Sequence, residues 1–99
     1  MKPKRALPDD WAASFRARFV ERLEQVLALI RAWTADSGDQ QLEELHTAIH
    51  NLVGVAGALG YAEISDCARL VDVAINERGH PDPAQLDALA RVMERERAR

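Results

Sequence analysis

The chain has 99 residues, 47% hydrophobic and only 5% aromatic, and its 13 Lys and Arg against 16 Asp and Glu leave a net charge of −3. That length holds one compact core and excludes a large multi-domain enzyme, while the slightly acidic balance argues against a broad nucleic-acid-binding surface. One cysteine, Cys67, excludes an internal disulfide and suits a reducing compartment. No apolar run approaches the roughly 20 residues of a membrane span. The basic start Lys2, Lys4, Arg5 runs into Pro8-Asp9-Asp10 rather than into the apolar stretch of a secretion signal. The expectation is a small, soluble, cytoplasmic, monomeric domain with no nucleic-acid or membrane partner. The initiating Met1 favours a stand-alone protein.

Residues 1–8, bracketed by Pro3 and Pro8, read as a flexible basic head, and residues 9–99 as a single helical domain. Turn signals stand at Ser37-Gly38-Asp39, at Gly60 and at Gly79-His80-Pro81-Asp82-Pro83. Between them the apolar spacing is helical, and no stretch sustains a period of two. The first helix is expected from Asp9 or Asp10 to about Ala35, with Trp11, Phe15, Phe19, Leu23, Val26, Leu27, Ile30 and Trp33 at steps of three and four. Asp9 and Asp10 cap it and oppose its dipole. Whether Trp11-Ala12-Ala13-Ser14 turns, leaving a short extra N-terminal helix, stays open.

The second helix starts at Asp39 or Gln40 and carries the seam Leu42, Leu45, Ile49, Leu52, Ala56, Leu59. The third runs from about Ala62 to Arg78, with Ile64, Cys67, Ala68, Val71 and Ile75 inward and Gly79 as its stop. Asp82 caps the fourth and Pro83 suits its first turn, ahead of the stripe Leu86, Leu89, Ala90, Met93. Glu94 to Arg99 are all charged or alanine and are expected to fray into solvent. Four helices joined by short turns predict an all-α, antiparallel up-down-up-down four-helix bundle.

The unusual chemistry is on the second helix. At about 100° per residue, His50 points about 130° from the centre of the apolar seam, so its imidazole faces water. Its neighbours on that face, three, four and seven residues away, are His46, Thr47, Val53, Gly54 and Gly57. Two glycines inside one helix cost about 1–2 kcal/mol relative to alanine. Neither lies at a helix end, and together they open a clearing through which a partner can reach the ring. A neutral imidazole nitrogen is a competent nucleophile. Exposed and without a cleft, it suits a group carrier passing a group between proteins, though a solvated surface histidine has the same exposure.

The segment His50-Asn51-Leu52-Val53-Gly54-Val55-Ala56-Gly57-Ala58-Leu59-Gly60 resembles the active helix of histidine-containing phosphotransfer (HPt) domains of bacterial phosphorelays. His50, Leu52, Gly54, Ala56, Leu59 and Gly60 match the family spacing, and the likeness continues through Ile64, Cys67, Ala68 and Leu70. The resemblance implies that His50 is the phosphoacceptor, receiving a phosphoryl group from a receiver-domain aspartyl-phosphate and relaying it to another. It implies response-regulator receivers or a hybrid sensor kinase as partners, docked on His46, Val53, Gly54 and Gly57. It implies no cofactor of the chain's own, since the Mg²⁺ of such transfers belongs to the receiver. Nothing in the chain resembles an ATP-binding loop, so it reads as a phosphotransfer intermediate rather than a stand-alone enzyme. Two positions depart from the pattern: Val53 stands where the family usually has Lys, and Val71 where an acidic residue commonly follows the Leu, with Asp72 one position late. The alternative is a non-catalytic HPt-like module that docks a kinase or receiver without carrying phosphate.

Other features read more simply. His46 and His50 have the four-residue spacing of a metal pair, but no third ligand is evident beyond Glu43, and no metal is expected. His46 reads as a polar rim residue or a titratable neighbour of His50, and His80 as a solvated turn residue. Trp11, Phe15, Phe19 and Trp33 read as core or as a cap over the bundle end, and Cys67 as a small apolar residue without a redox role.

Overall fold

The computed structural model describes residues 9–99, with side-chain surroundings from Ala13 onward. The basic head and the side chain of Trp11 lie outside the described residues. Four helices follow one another: α1 Asp9–Ala32, α2 Asp39–Ala58, α3 Ala62–Arg78 and α4 Pro83–Arg97. Each packs on its neighbours in chain order and α1 closes the ring on α4, giving the up-down-up-down bundle. The α2–α3 hairpin is the most intimate pair. No strand occurs among the described residues.

The core is a column of four stripes: Phe19, Leu23, Val26 and Leu27 from α1; Leu45, Ile49, Leu52 and Ala56 from α2; Ile64, Ala68, Val71 and Ile75 from α3; Leu86, Leu89 and Met93 from α4. Each large apolar side chain so buried contributes about 1.5–3 kcal/mol of transfer free energy. The ends of the expected stripes are wetter than their centres. Ile30, Trp33, Leu42, Cys67 and Ala90 are only partly buried against the column, and Phe15 and Leu59 are 40% and 36% exposed. Helical spacing alone does not say where along its length a stripe runs out of partners. Burial and the nearby carboxylates of Glu63 and Asp66 push the Cys67 thiol up, away from the reactive thiolate.

Local chemistry sets the helix limits. α1 is one continuous helix without a break at residues 11–14, and it stops at Ala32 rather than near Ala35. Thr34 and Ser37 take over the backbone there: Ser37 Oγ accepts from the Thr34 N–H at 2.9 Å and Thr34 Oγ1 from the Asp36 N–H at 3.2 Å. Such hydroxyl-to-backbone bonds compete with the helical ladder. At the start of α2 the Gln41 side chain reaches back to accept from the Gly38 N–H at 2.9 Å. α2 closes with Gly60 at φ 89, the Gly60 N–H on Gly57 O and the Tyr61 N–H on Ala56 O. This is the paired arrangement of a Schellman motif, and it requires a left-handed residue at the glycine. At α4, Asp82 Oδ1 accepts from Ala84 and Gln85 N–H groups at 2.9 and 3.1 Å, with Pro83 in the first turn.

The C-terminal turn of α4 corrects the expectation of fraying from Glu94. The helix continues to Arg97 because α1 holds it. Arg16 donates to the Glu96 carboxylate at 2.8 Å, to the Glu96 carbonyl at 2.7 Å and to the Tyr61 hydroxyl at 2.7 Å. Arg31 pairs with Glu94 and Arg95 with Glu63. Glu96 and Tyr61 hold the Arg16 proton more tightly than usual. The Tyr61 ring stacks on Phe19 with centroids 4.3 Å apart. One residue of the α2–α3 turn therefore ties that turn to α1 and, through Arg16, to the end of α4.

Candidate functional site

α2 places Leu45, Ile49, Leu52 and Ala56 inward and His50 on the opposite side, as the 3.6-residue repeat dictates. The His50 side chain is 70% exposed. Its orientation is nonetheless defined, because Nδ1 lies 3.2 Å from Asp72 Oδ2 on α3. The other oxygen of that carboxylate, Oδ1, lies 2.9 Å from His46 Nε2. A carboxylate only accepts, so His50 donates from Nδ1–H and His46 from Nε2–H. The neutral His50 tautomer that this selects carries its lone pair on Nε2. With Nδ1 occupied, Nε2 is the ring nitrogen left to meet a partner.

Asp72 is the residue that the sequence reading passed over. The displaced acidic position was given no role, yet Val71 is fully buried in the core and its successor Asp72, 14% exposed, reaches the histidine. A signal for this was present in the chain. Folding α2 and α3 into an antiparallel hairpin about Gly60-Tyr61 pairs Gly57 with Ser65, and two turns further along each helix it pairs His50 with Asp72. Seven residues along each helix of the hairpin return both side chains to the same seam.

The remaining expected residues divide. His46 is half-buried and joined to His50 through Asp72. Gly54 is exposed and a Cβ there would meet nothing within 4 Å, so it leaves open space beside the imidazole. Gly57 is exposed too, but a Cβ there would stand 3.3 Å from Ser65 Oγ. It therefore also lets α3 approach, and the clearing is not its sole explanation. Ser65, buried to 4% exposure, donates its hydroxyl to Val53 O at 2.9 Å. Val53 itself is half-buried and packed against the core.

A shallow groove of about 330 Å³ adjoins the imidazole, lined by His46, Thr47, His50 and Asn76. No Lys or Arg lines it. Among the described residues, no group of three or more His, Cys, Asp or Glu is arranged to hold a metal ion, and no helix is long and apolar enough to cross a membrane. A larger cavity of about 750 Å³ lies elsewhere, between Ile30, Trp33, Pro81, Leu86 and Ala90, and includes neither His50 nor Asp72.

The arrangement can do one thing well: present an oriented nucleophilic nitrogen beside a shallow, open groove. It has no cleft to exclude water and no base positioned to activate a second nucleophile. Searches of curated proteins and of solved structures found no match. The model of the Hpt domain family does match, over residues 14–99. That span runs from the second turn of α1 through α4 to the last residue, and the chain belongs to the Hpt domain family.

Proposed function

We propose that this Hpt domain is a phosphorelay intermediate in which His50 accepts a phosphoryl group from the aspartyl-phosphate of one receiver domain and passes it to another. Histidine phosphotransfer with receivers and kinases of two-component systems is what the family does. The observation that carries the reading to a particular atom is the 3.2 Å contact between His50 Nδ1 and Asp72. In the transfer, the Nε2 lone pair forms the new N–P bond while the P–O bond to the receiver aspartate breaks, and that electron pair leaves with the carboxylate. No proton moves on His50: Nδ1–H stays donated to Asp72. The imidazole gains positive charge as Nε2 is phosphorylated, and the Asp72 carboxylate offsets it at short range. Reverse transfer retraces the same path, so the domain carries phosphate without an ATP site. The reading places the chain in the cytoplasm as a monomer that docks its receiver over His50, Gly54 and Gly57.

A second reading rests on Val53. Without a lysine at that position, and with no Lys or Arg lining the adjoining groove, the chain would dock a kinase or receiver without carrying phosphate. One experiment separates the two: incubation with a phosphorylated receiver, followed by acid-labile, base-stable label on this chain and on His50→Gln. Label on the native chain alone is the expected result, with helicity and Tm of the variant unchanged because His50 is exposed. Receiver binding without label favours the docking module. Label retained in His50→Gln would sink the assignment of the phosphoacceptor.

A further inference from the structure

We infer that the groove beside His50 is the seat of the transferred phosphoryl group, held there by the Thr47 hydroxyl and the Asn76 side-chain amide in place of a cation. The inference rests on the phosphoacceptor reading and adds to it the residues that grip the phosphate.

In a helix the Cα–Cβ bond tilts toward the N-terminus, so the His50 ring leans back over the preceding turn, where Thr47 stands. Asp72 fixes the rotation of that ring from the α3 side through Nδ1. His50 is itself one wall of the space that His46, Thr47 and Asn76 complete, so a group carried on its ring adjoins that space. Asn76 lies one turn beyond Asp72 on α3 and closes the groove from the facing helix. About 330 Å³ is ample for a phosphoryl group and its first waters. The Thr47 hydroxyl and the Asn76 amide are both donors, and phosphoryl oxygens are acceptors. Among the described residues neither side chain is engaged in another hydrogen bond.

The groove brings no Lys or Arg of its own to the phosphoryl group. Asp72 holds the far side of the imidazole, and the acidic first turns of α2, with Asp39, Glu43 and Glu44, lead up to Thr47. Val53, the position where a lysine would stand, is packed against the core. The nearby Arg69 on α3 is paired with Asp66. His46 has its Nε2–H committed to Asp72, where it steadies the carboxylate that orients His50. Hydroxyl and amide groups thus supply the hydrogen bonds, and the compensating charge comes from the receiver during docking.

The test loads the native chain with phosphoramidate, which needs no receiver. The Nε2 lone pair of His50 attacks phosphorus, the N–P bond of N-protonated phosphoramidate breaks, and its electron pair leaves with nitrogen as ammonia. Phosphohistidine lifetime is then followed by ³¹P NMR in native chain, Thr47→Val, Asn76→Ala and the double variant. Both residues are exposed, so folding survives, and circular dichroism checks it. The double variant should lose its phosphoryl group on the order of five- to tenfold faster, the effect of two neutral hydrogen bonds of ordinary net strength. The Asn76 side-chain amide should shift on loading, while that of the remote Gln25 stays still. An unchanged lifetime in the double variant, with an unmoved Asn76 amide, would overturn the inference and leave the relay intact. Stable loading with these effects but no transfer from any receiver would support the groove while defeating the relay. A chain that takes no label from phosphoramidate would defeat both.

Discussion

Two regions of this small bundle use polar side chains across helix interfaces, and they use them to opposite ends. Where α1, the α2–α3 turn and α4 meet, Arg16 commits its guanidinium to Tyr61, to the Glu96 carboxylate and to the Glu96 carbonyl, and Tyr61 stacks on Phe19. The donors there are consumed in holding helix ends together. On the α2–α3 face, Asp72 takes one N–H from each of two imidazoles and leaves the second nitrogen of the more exposed one unoccupied. Hydrogen bonding there fixes an orientation while preserving a reactive atom. A side chain can therefore be 70% exposed and still be held in place. Exposure makes docking with another protein possible, and the half-buried carboxylate supplies the aim.

The contrast can be broken at either region. The largest effect is expected from Asp72→Asn. Its amide can present an N–H to Nδ1 and so favour the wrong tautomer, and phosphoryl transfer should fall about 10–100-fold, the size of effect seen when carboxylates that orient metal-bound histidines are altered. Stability should stay within about 0.5 kcal/mol, since the site is open to solvent. Stopped-flow or quenched transfer assays beside thermal melts check both halves. A fall in Tm matching the fall in rate would mean that Asp72 only braces the hairpin.

Arg16→Met tests the other region and should give the reverse pattern. Its contacts are part-exposed and screened, so their loss should cost about 1–2 kcal/mol. That lowers Tm by about 5–15 °C for a domain of this size, with transfer rate within about twofold of native below the melt. Faster amide exchange confined to the last turn of α4 would localise the damage. Slowed transfer at unchanged Tm would join two regions that the structure keeps apart.

The smallest effects come from the two helix glycines, and they sharpen the comparison within one face. Gly54→Ala meets nothing and should stabilise by about 0.5–1 kcal/mol. It should also weaken receiver docking by narrowing the clearing, which titration with a receiver would read. Gly57→Ala, in the last turn of α2, gains less helix propensity and presses on Ser65 Oγ, 3.3 Å away. Its stability should change by less than about 0.5 kcal/mol, and Ser65→Ala in the same chain should release the gain. Equal stabilisation by both single substitutions would show that α3 yields easily at Ser65.

Much of this was legible from the chain because it depends on local periodicity. Apolar steps of three and four set the number of helices and their inward faces, and the same arithmetic placed His50 in water. Turn chemistry marked Gly60, Gly79 and Asp82-Pro83, where a left-handed backbone or a side-chain cap leaves few alternatives. The end of α1 was overrun by three residues because Thr34 and Ser37 bond to the backbone in a way that apolar spacing does not register. The C-terminal turn was read as loose because the residue that holds it, Arg16, lies 80 positions away.

What the sequence determined by itself was the repeat: four amphipathic helices, their stops, and an imidazole pointing away from the core. Those follow from interactions between residues a few positions apart, which any helix of this composition makes. What only the tertiary structure decided was register between helices. It brought Asp72 to His50, set Gly57 against Ser65 and closed Arg16 on Glu96. A shift of one residue along either helix of the hairpin would rotate these partners by about 100° and out of reach. Packing of the core stripes is what holds that register.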